Sequence, residues 1–185
     1  MSRLRVPVSA RDHMRGSLPR AAVVLVEYGD FECPACAAAK PLVDQLGVMM
    51  GDELCTVWRH FPLTQVHLQA QRAAEAAEAA GAQSAFWGMH ELLFERQPMF
   101  DEASLRDYAA ELGLDVARFT SELLTGVHEP RVRNDFLGGV RSGVNGTPSF
   151  FVNGARYDGA YRLDALLAAL KAATRTRQIQ PRAGR

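Results

Sequence analysis

Two cysteines sit where an apolar run ends and a helix begins, and no other feature of the chain restricts the fold as much. Residues 21–28 (AAVVLVEY) are continuously apolar and rich in β-branched side chains, interrupted only by Glu27. A run without alternation reads as a strand buried on both faces. Gly29-Asp30 ends it, the segment FECPAC follows, and helical character then continues to about Met50. Residues 54–61 (LCTVWRHF) read as a second strand, stopped at Pro62.

The junction has a chemical consequence. Proline is favoured at the first helical position, so Pro34 there places Cys33 at the N-cap. The unpaired backbone N–H groups and the positive end of the helix dipole then face the Cys33 sulfur and favour thiolate over thiol. Such surroundings lower a cysteine pKa from about 8.5 into the range of roughly 3.5–7.5. Cys33 is thus expected as the exposed nucleophile. Cys36, one turn further in, is placed to resolve a mixed disulfide. A second reading exists. Cys33, Cys36, Cys55 and His60 supply a ligand count that would suit zinc. Cys55 and His60 are separated by an odd number of positions on the second strand, which puts them on opposite faces and favours the redox reading. Cys55 then reads as a small core thiol.

Residues 63–142 read as a helical insertion, with no strand signal from residue 66 onward. The stretch 71–81 is rich in Ala and Glu, and strong in helix propensity. Phe86, Met89 and Leu93 follow helical spacing, as do Leu105, Tyr108 and Leu112, and later Val132, Phe136 and Val140. Asp115 reads as an N-cap before Val116 and Phe119, with Gly126 as a stop. Strand character returns at Ser149, where SFFV, Asn153-Gly154 and ARYD spell a hairpin with a two-residue turn. Leu163, Leu166, Leu167 and Leu170 mark an amphipathic helix. Residues 21–62 and 143–174 therefore form the core, and 21–28 must share a sheet with 149–152. Residues 1–20 read as an extended arm and 175–185 as a basic tail, both solvated.

Composition excludes several classes of function. Hydrophobic residues make up 48% of the chain and charged residues 23%, which suits a packed core and not disorder. The net charge of zero conceals basic ends around a body of net −9, so no nucleic-acid partner is expected. No run approaches the roughly 18 apolar residues of a membrane span. The start lacks the apolar region of a secretory signal, so a cytoplasmic location is expected, and an extracytoplasmic one only if a leader is missing. No phosphate-binding glycine loop is present, and no cofactor is expected beyond the Cys33–Cys36 disulfide itself.

VEYGDFECPAC and the later GVNGTPSFFVNG together resemble the DsbA-like thioredoxin-fold disulfide oxidoreductases over nearly all of residues 21–172. The resemblance implies an α/β, thioredoxin-like fold with a helical insertion. It also implies thiol–disulfide exchange with protein or small thiol substrates and with a further redox partner. Cys33 matches the family's exposed nucleophile and Cys36 its buried resolving cysteine. Pro34 opens the active-site helix, and Pro41 matches the proline that kinks it. Pro148 matches a cis-proline facing the disulfide, preceded by Thr147, whose backbone pairs with substrate as a short added strand. Glu27 matches a buried carboxylate beneath the site. The helical insertion is expected to form one wall of a substrate groove beside Cys33. The dipeptide Pro34-Ala35 lacks the histidine of the most oxidising members, which implies a weaker oxidant, and in a reducing cytosol the pair would rest as a dithiol.

Glu27 in an apolar strand is costly unless bonded or protonated, and a raised pKa would let it take the Cys36 proton. Asp30 and Glu32 read as surface charges. His90 reads as a core histidine, and Trp58 and Trp87 as packing residues. His13, His67 and His128 show no metal spacing. The alternatives to an enzyme are a zinc-binding module or a non-catalytic interaction module on the same fold. The direction of catalysis stays open.

Overall fold

The strand signals resolve into one mixed sheet. A computed structural model describes residues 2–179, with side chains as far as Arg175. Its strands are β1 (His13–Arg15), β2 (Val23–Gly29), β3 (Leu54–His60), β4 (Ser149–Val152) and β5 (Ala155–Arg156), in the order β1-β3-β2-β4-β5. β2 runs parallel to β3, pairing Glu27 with Trp58, and antiparallel to β4, pairing Glu27 with Phe150. Segments far apart in sequence thus meet on the central strand, as the apolar run and the hairpin require. Asn153 has a positive φ of 47° and Gly154 one of 79°, the turn geometry that a two-residue hairpin needs.

Seven α-helices among the described residues surround the sheet: α1 (Pro34–Met50), α2 (Ala70–Gly81), α3 (Phe86–Glu95), α4 (Glu102–Glu111), α5 (Val116–Thr125), α6 (Glu129–Arg141) and α7 (Leu163–Ile179). On one face Val23, Leu25 and Phe150 pack with Leu46 of α1 and with Leu166 and Leu170 of α7. On the other, Val26, Tyr28, Cys55, Val57 and Phe151 pack against Phe136 of α6 and the N-terminal arm. Gly29 permits a close crossing, since a Cβ there would lie 2.1 Å from the Trp58 ring. No strand occurs between β3 and β4, and α2 to α6 fill that interval. Asp115 caps α5 by accepting from the Arg118 N–H, and Gly126 ends it in the left-handed region. The final helix reaches Ile179, so the first residues of the expected tail are helical. Residues 180–185 of that tail lie outside the described residues.

The reading of residues 1–20 as a solvated arm needs correction. β1 within it adds an antiparallel edge strand to β3, and Arg3 makes a further bridge to Ala155. The cause is Arg59, a guanidinium on β3 that is only 2% exposed. It donates to Asp12 Oδ1 at 2.7 Å and Oδ2 at 3.2 Å, to the carbonyls of Val6 and Pro7, and to the Tyr28 hydroxyl. A buried charge demands such partners, and the arm supplies most of them. Neither partner of this pair has a sequence signal of its own.

Removing Asp12 leaves the buried guanidinium without its counter-charge. Asp12→Ala is expected to destabilise the fold by about 3–5 kcal/mol in urea titration. A change below about 1 kcal/mol would return the arm to a solvated role.

Candidate active site

Cys33 is the N-cap of α1, with φ −77° and ψ 119°, and Pro34 occupies the first turn. No side chain caps that end, so the helix N–H groups face the Cys33 sulfur. The Cys33 thiol is lowered to about 5. The largest cause is a hydrogen bond from Cys36, opposed by burial and assisted by Thr147 and by the backbone N–H groups of Cys36 and Ala35. Cys36 is driven far the other way, first by complete burial, then by its bond to Cys33 and the nearby Glu27 charge. The two sulfurs are free thiols. Cys33 is less exposed than expected, at 6% against 0% for Cys36, because it is recessed among Phe31 and the small side chains of α2. It remains the more accessible of the pair.

The Thr147-Pro148 bond is cis. The Cys33 sulfur lies 3.5 Å from the Thr147 carbonyl oxygen. The Thr147 hydroxyl is buried. Tyr161 donates its hydroxyl to the Pro148 carbonyl at 3.0 Å, a contact that the sequence does not signal. Pro41 lies inside α1, where its missing N–H deprives the Ala37 carbonyl of a helical partner.

Glu27 is 7% exposed. Its pKa rises to about 8, first through burial and then through the charge of Asp44. A cavity of about 20 Å³ borders it and is shared with Lys40, Asp44, Trp58 and His90. That space suffices for about one water and leads toward the charged group formed by Arg15, Lys40, Asp44 and Glu91. His90, as expected, is a core histidine. It is enclosed by the rings of Phe31, Trp58, Trp87 and Phe94, and burial pulls its pKa down to about 4.

Asp30 and Glu32 are not the surface charges that the sequence suggested. Asp30 is 2% exposed and accepts from the N–H groups of Glu32 and Leu63 and from His67 Nδ1, each at 2.8 Å. Glu32 accepts from the Gln69 N–H at 2.7 Å, and Gln97 donates to the Phe31 carbonyl. The segment after β3 and the loop after α3 are thereby tied to the turn that carries the cysteines. The helical block meets the site here and through the shared packing of Cys33, Cys36, Ala73 and Met89.

The four candidate zinc donors do not converge. Cys55 packs on the opposite sheet face from the cysteine pair, and burial raises its thiol pKa. The metal-sized cluster among the described residues is instead His13, His60 and Glu78. Glu78 Oε1 lies 2.8 Å from His13 Nε2 and 2.9 Å from His60 Nε2. Trp58 Nε1–H donates to His60 Nδ1 at 3.3 Å, which leaves the proton of a neutral ring on Nε2, facing Glu78. Metal ligation through that nitrogen would require the proton on Nδ1, against another donor. The cluster is a hydrogen-bonded clasp that joins β1, β3 and α2.

Two outcomes follow from these surroundings. Iodoacetamide should modify Cys33 before Cys36 or Cys55, with a rate midpoint near pH 5. Glu27 also makes the fold depend on pH. Its folded pKa of about 8 lies above the ordinary 4.5, so between these values the folded state holds a proton that the unfolded state has lost. The stability it contributes is full below pH 4.5 and is lost as pH rises through about 8. Glu27→Gln should therefore gain on the wild type over this window, by on the order of a few kcal/mol in denaturant titrations. Parallel curves would show a carboxylate that is charged at neutral pH.

Comparison with known proteins agrees with this architecture. A family model described as Thioredoxin matches residues 9–172. A Na(+)/H(+) antiporter NhaA 1 of Salinispora arenicola is 49% identical over 97% of this chain and 27% of its own length; the chain thus spans about a quarter of the curated relatives it matches. Among solved structures, a thioredoxin-like oxidoreductase from Silicibacter pomeroyi superposes with a TM-score of 0.76 and 25% identity, covering 93% of this chain and 95% of that one. The alpha-DsbA1 of Wolbachia pipientis gives 0.78 and 18%, covering 95% and 96%. With the family match running from the arm into the last helix, the chain belongs to the thioredoxin family, and its fold superposes on that of alpha-DsbA1 over nearly its whole length.

Proposed function

We propose that this chain is a thiol–disulfide oxidoreductase that works through Cys33 and Cys36. The observation that carries the reading is the opposite tuning of two hydrogen-bonded sulfurs at the start of α1, one held as thiolate near neutral pH and the other held as thiol. In the reducing direction, the Cys33 thiolate attacks a substrate disulfide. A Cys33–substrate S–S bond forms, the substrate S–S bond breaks, and one substrate sulfur leaves as thiolate. Cys36 then gives its proton to the deprotonated form of Glu27, which a pKa of about 8 keeps accessible near neutral pH, and attacks Cys33 Sγ. The Cys33–Cys36 bond forms and the second substrate thiolate departs. Two electrons pass from the dithiol to the substrate, and the reverse sequence oxidises a substrate dithiol. No cofactor enters. The Glu27 pKa of about 8 suits a group that takes up and returns a proton near neutral pH.

Substrates on this reading are thiol- or disulfide-bearing proteins, and a separate redox partner resets the pair. The recessed Cys33 favours an extended segment that can approach between Thr147 and the loop after β3. The antiport in the relatives' names is not carried over, because the shared segment is about a quarter of their length. No helix among the described residues is long and apolar enough to cross a membrane.

Trapping tests the reading. Cys36→Ser should accumulate a mixed disulfide with a peptide disulfide, visible by mass spectrometry, and Cys33→Ser should not. Glu27→Gln should slow turnover about 10-fold or more at neutral pH, within the usual range for loss of a proton-transfer group. Wild-type turnover no faster than that of Cys33→Ser would leave the chain a binding module.

A further inference from the structure

We propose that His67, clasped by Asp30, is a positioning residue for the redox reaction: its positive charge holds Cys33 as thiolate by cancelling the Asp30 carboxylate at the active-site turn. The inference rests on the thiol–disulfide reading above and adds to it a residue outside the cysteine motif.

The geometry is that of a charge set against a charge. Asp30 is joined to both cysteines through its own backbone. Its carbonyl accepts from the Cys33 N–H at 3.2 Å, and its N–H points at the Cys36 sulfur at 3.5 Å. Its carboxylate is buried in the same turn. An unopposed anion there would repel a thiolate at Cys33 and offset the helix N-terminus. His67 meets that carboxylate with Nδ1 at 2.8 Å. The tether fixes which nitrogen faces Asp30, and the 18% exposure of the side chain leaves the ring able to exchange protons with solvent. The charged and titratable groups that act on the ring are Asp30, which it touches, and Cys33 and Glu32, which attract it at longer range. Burial pulls its pKa down, but the hydrogen bond to Asp30 and the attraction of these three anions raise it above the ordinary 6.5. Coupling between two titrating sites is mutual. If the Cys33 thiolate favours His67 with its proton, the protonated ring favours the thiolate by the same amount. No structural need explains a histidine here, since the Leu63 N–H already fixes this loop to the same carboxylate oxygen.

A pH sensitivity follows. While His67 is protonated, the Asp30–His67 pair is neutral toward Cys33. As His67 loses its proton, the Asp30 charge is exposed to the sulfur. The thiolate is then less favoured, and the dithiol form becomes the stronger reductant.

The test compares the full chain with His67→Gln and His67→Lys. Cys33 alkylation is followed by iodoacetamide against pH, and the Cys33–Cys36 redox equilibrium by titration with glutathione at pH 6 and pH 8. His67→Gln should slow alkylation about three- to tenfold at pH 4.5, below the Cys33 midpoint, because the thiolate fraction there falls with the lost charge. Its equilibrium at pH 6 should move toward the disulfide by the same factor, with a smaller shift at pH 8. His67→Lys restores a charge without the imidazole and should return both values to within about twofold of the wild type. Wild-type behaviour in His67→Gln would overturn the proposal. Equal loss in both variants would also overturn it, since that pattern marks a structural tether. A wild-type Cys33 that titrates near the ordinary thiol value would overturn this inference and the proposed function together. A low wild-type midpoint with an inert His67 leaves the proposed function standing alone.

Discussion

Strand β2 is hydrogen-bonded along both edges, to β3 on one side and β4 on the other, and the active site is an extension of that double pairing. A strand held on both edges and covered on both faces has no freedom at its end. The turn at Gly29-Asp30 therefore emerges at a defined place, with the β3 exit and the approach to β4 beside it. The parallel pairing delivers His60 and the following loop to Asp30. The antiparallel pairing delivers Thr147 and Pro148 to Cys33. Most side chains of β2 are apolar, so the one carboxylate among them, Glu27, is left with a choice between neutrality and a large solvation penalty. Its raised pKa is the outcome.

The two cysteines differ because they stand one helical turn apart on a solvation gradient. At the N-cap, Cys33 receives N–H groups that have no partner within the helix. At Cys36 those donors are used within the helix, water is excluded and Glu27 is near, so the same functional group is held as a thiol. A short stretch of backbone thus yields a nucleophile and a delayed second nucleophile without a metal or cofactor to differentiate them.

The inserted helices reach the site through polar contacts as well as packing. Glu32 with Gln69, Asp30 with His67 and the Phe31 carbonyl with Gln97 tie two loops to the cysteine turn. The His13–Glu78–His60 clasp fastens α2 to the sheet from below. In such a network each buried group is satisfied by a group from a different element. The helices are therefore held in one position over the turn, and their slippage would leave buried polar atoms without partners.

Local physics made much of this legible from the residues alone. The apolar run of β2, the Pro34 start of α1, the Asp115 cap, the Asn153-Gly154 turn and the leucine spacing of α7 are each decided within a few residues, and each appears in the structure. Cys33, Cys36 and Glu27 could be named for the same reason, since their types are unusual for their immediate surroundings, whereas Pro148 was named through the family resemblance of GVNGTPSFFVNG. The places where the sequence misled share another property. Asp30 and Glu32 look like surface charges until the loop after β3 closes over them. His67 has no acidic neighbour in sequence and acquires Asp30 only in the fold. Residues 1–20 look solvated until a buried Arg59 draws them into the sheet. The partner of a buried charge is chosen by desolvation, and desolvation depends on which distant segments arrive to exclude water. The sequence by itself therefore determined the elements and the reactive pair, while only the tertiary structure decided which polar groups would be buried together and so tune it.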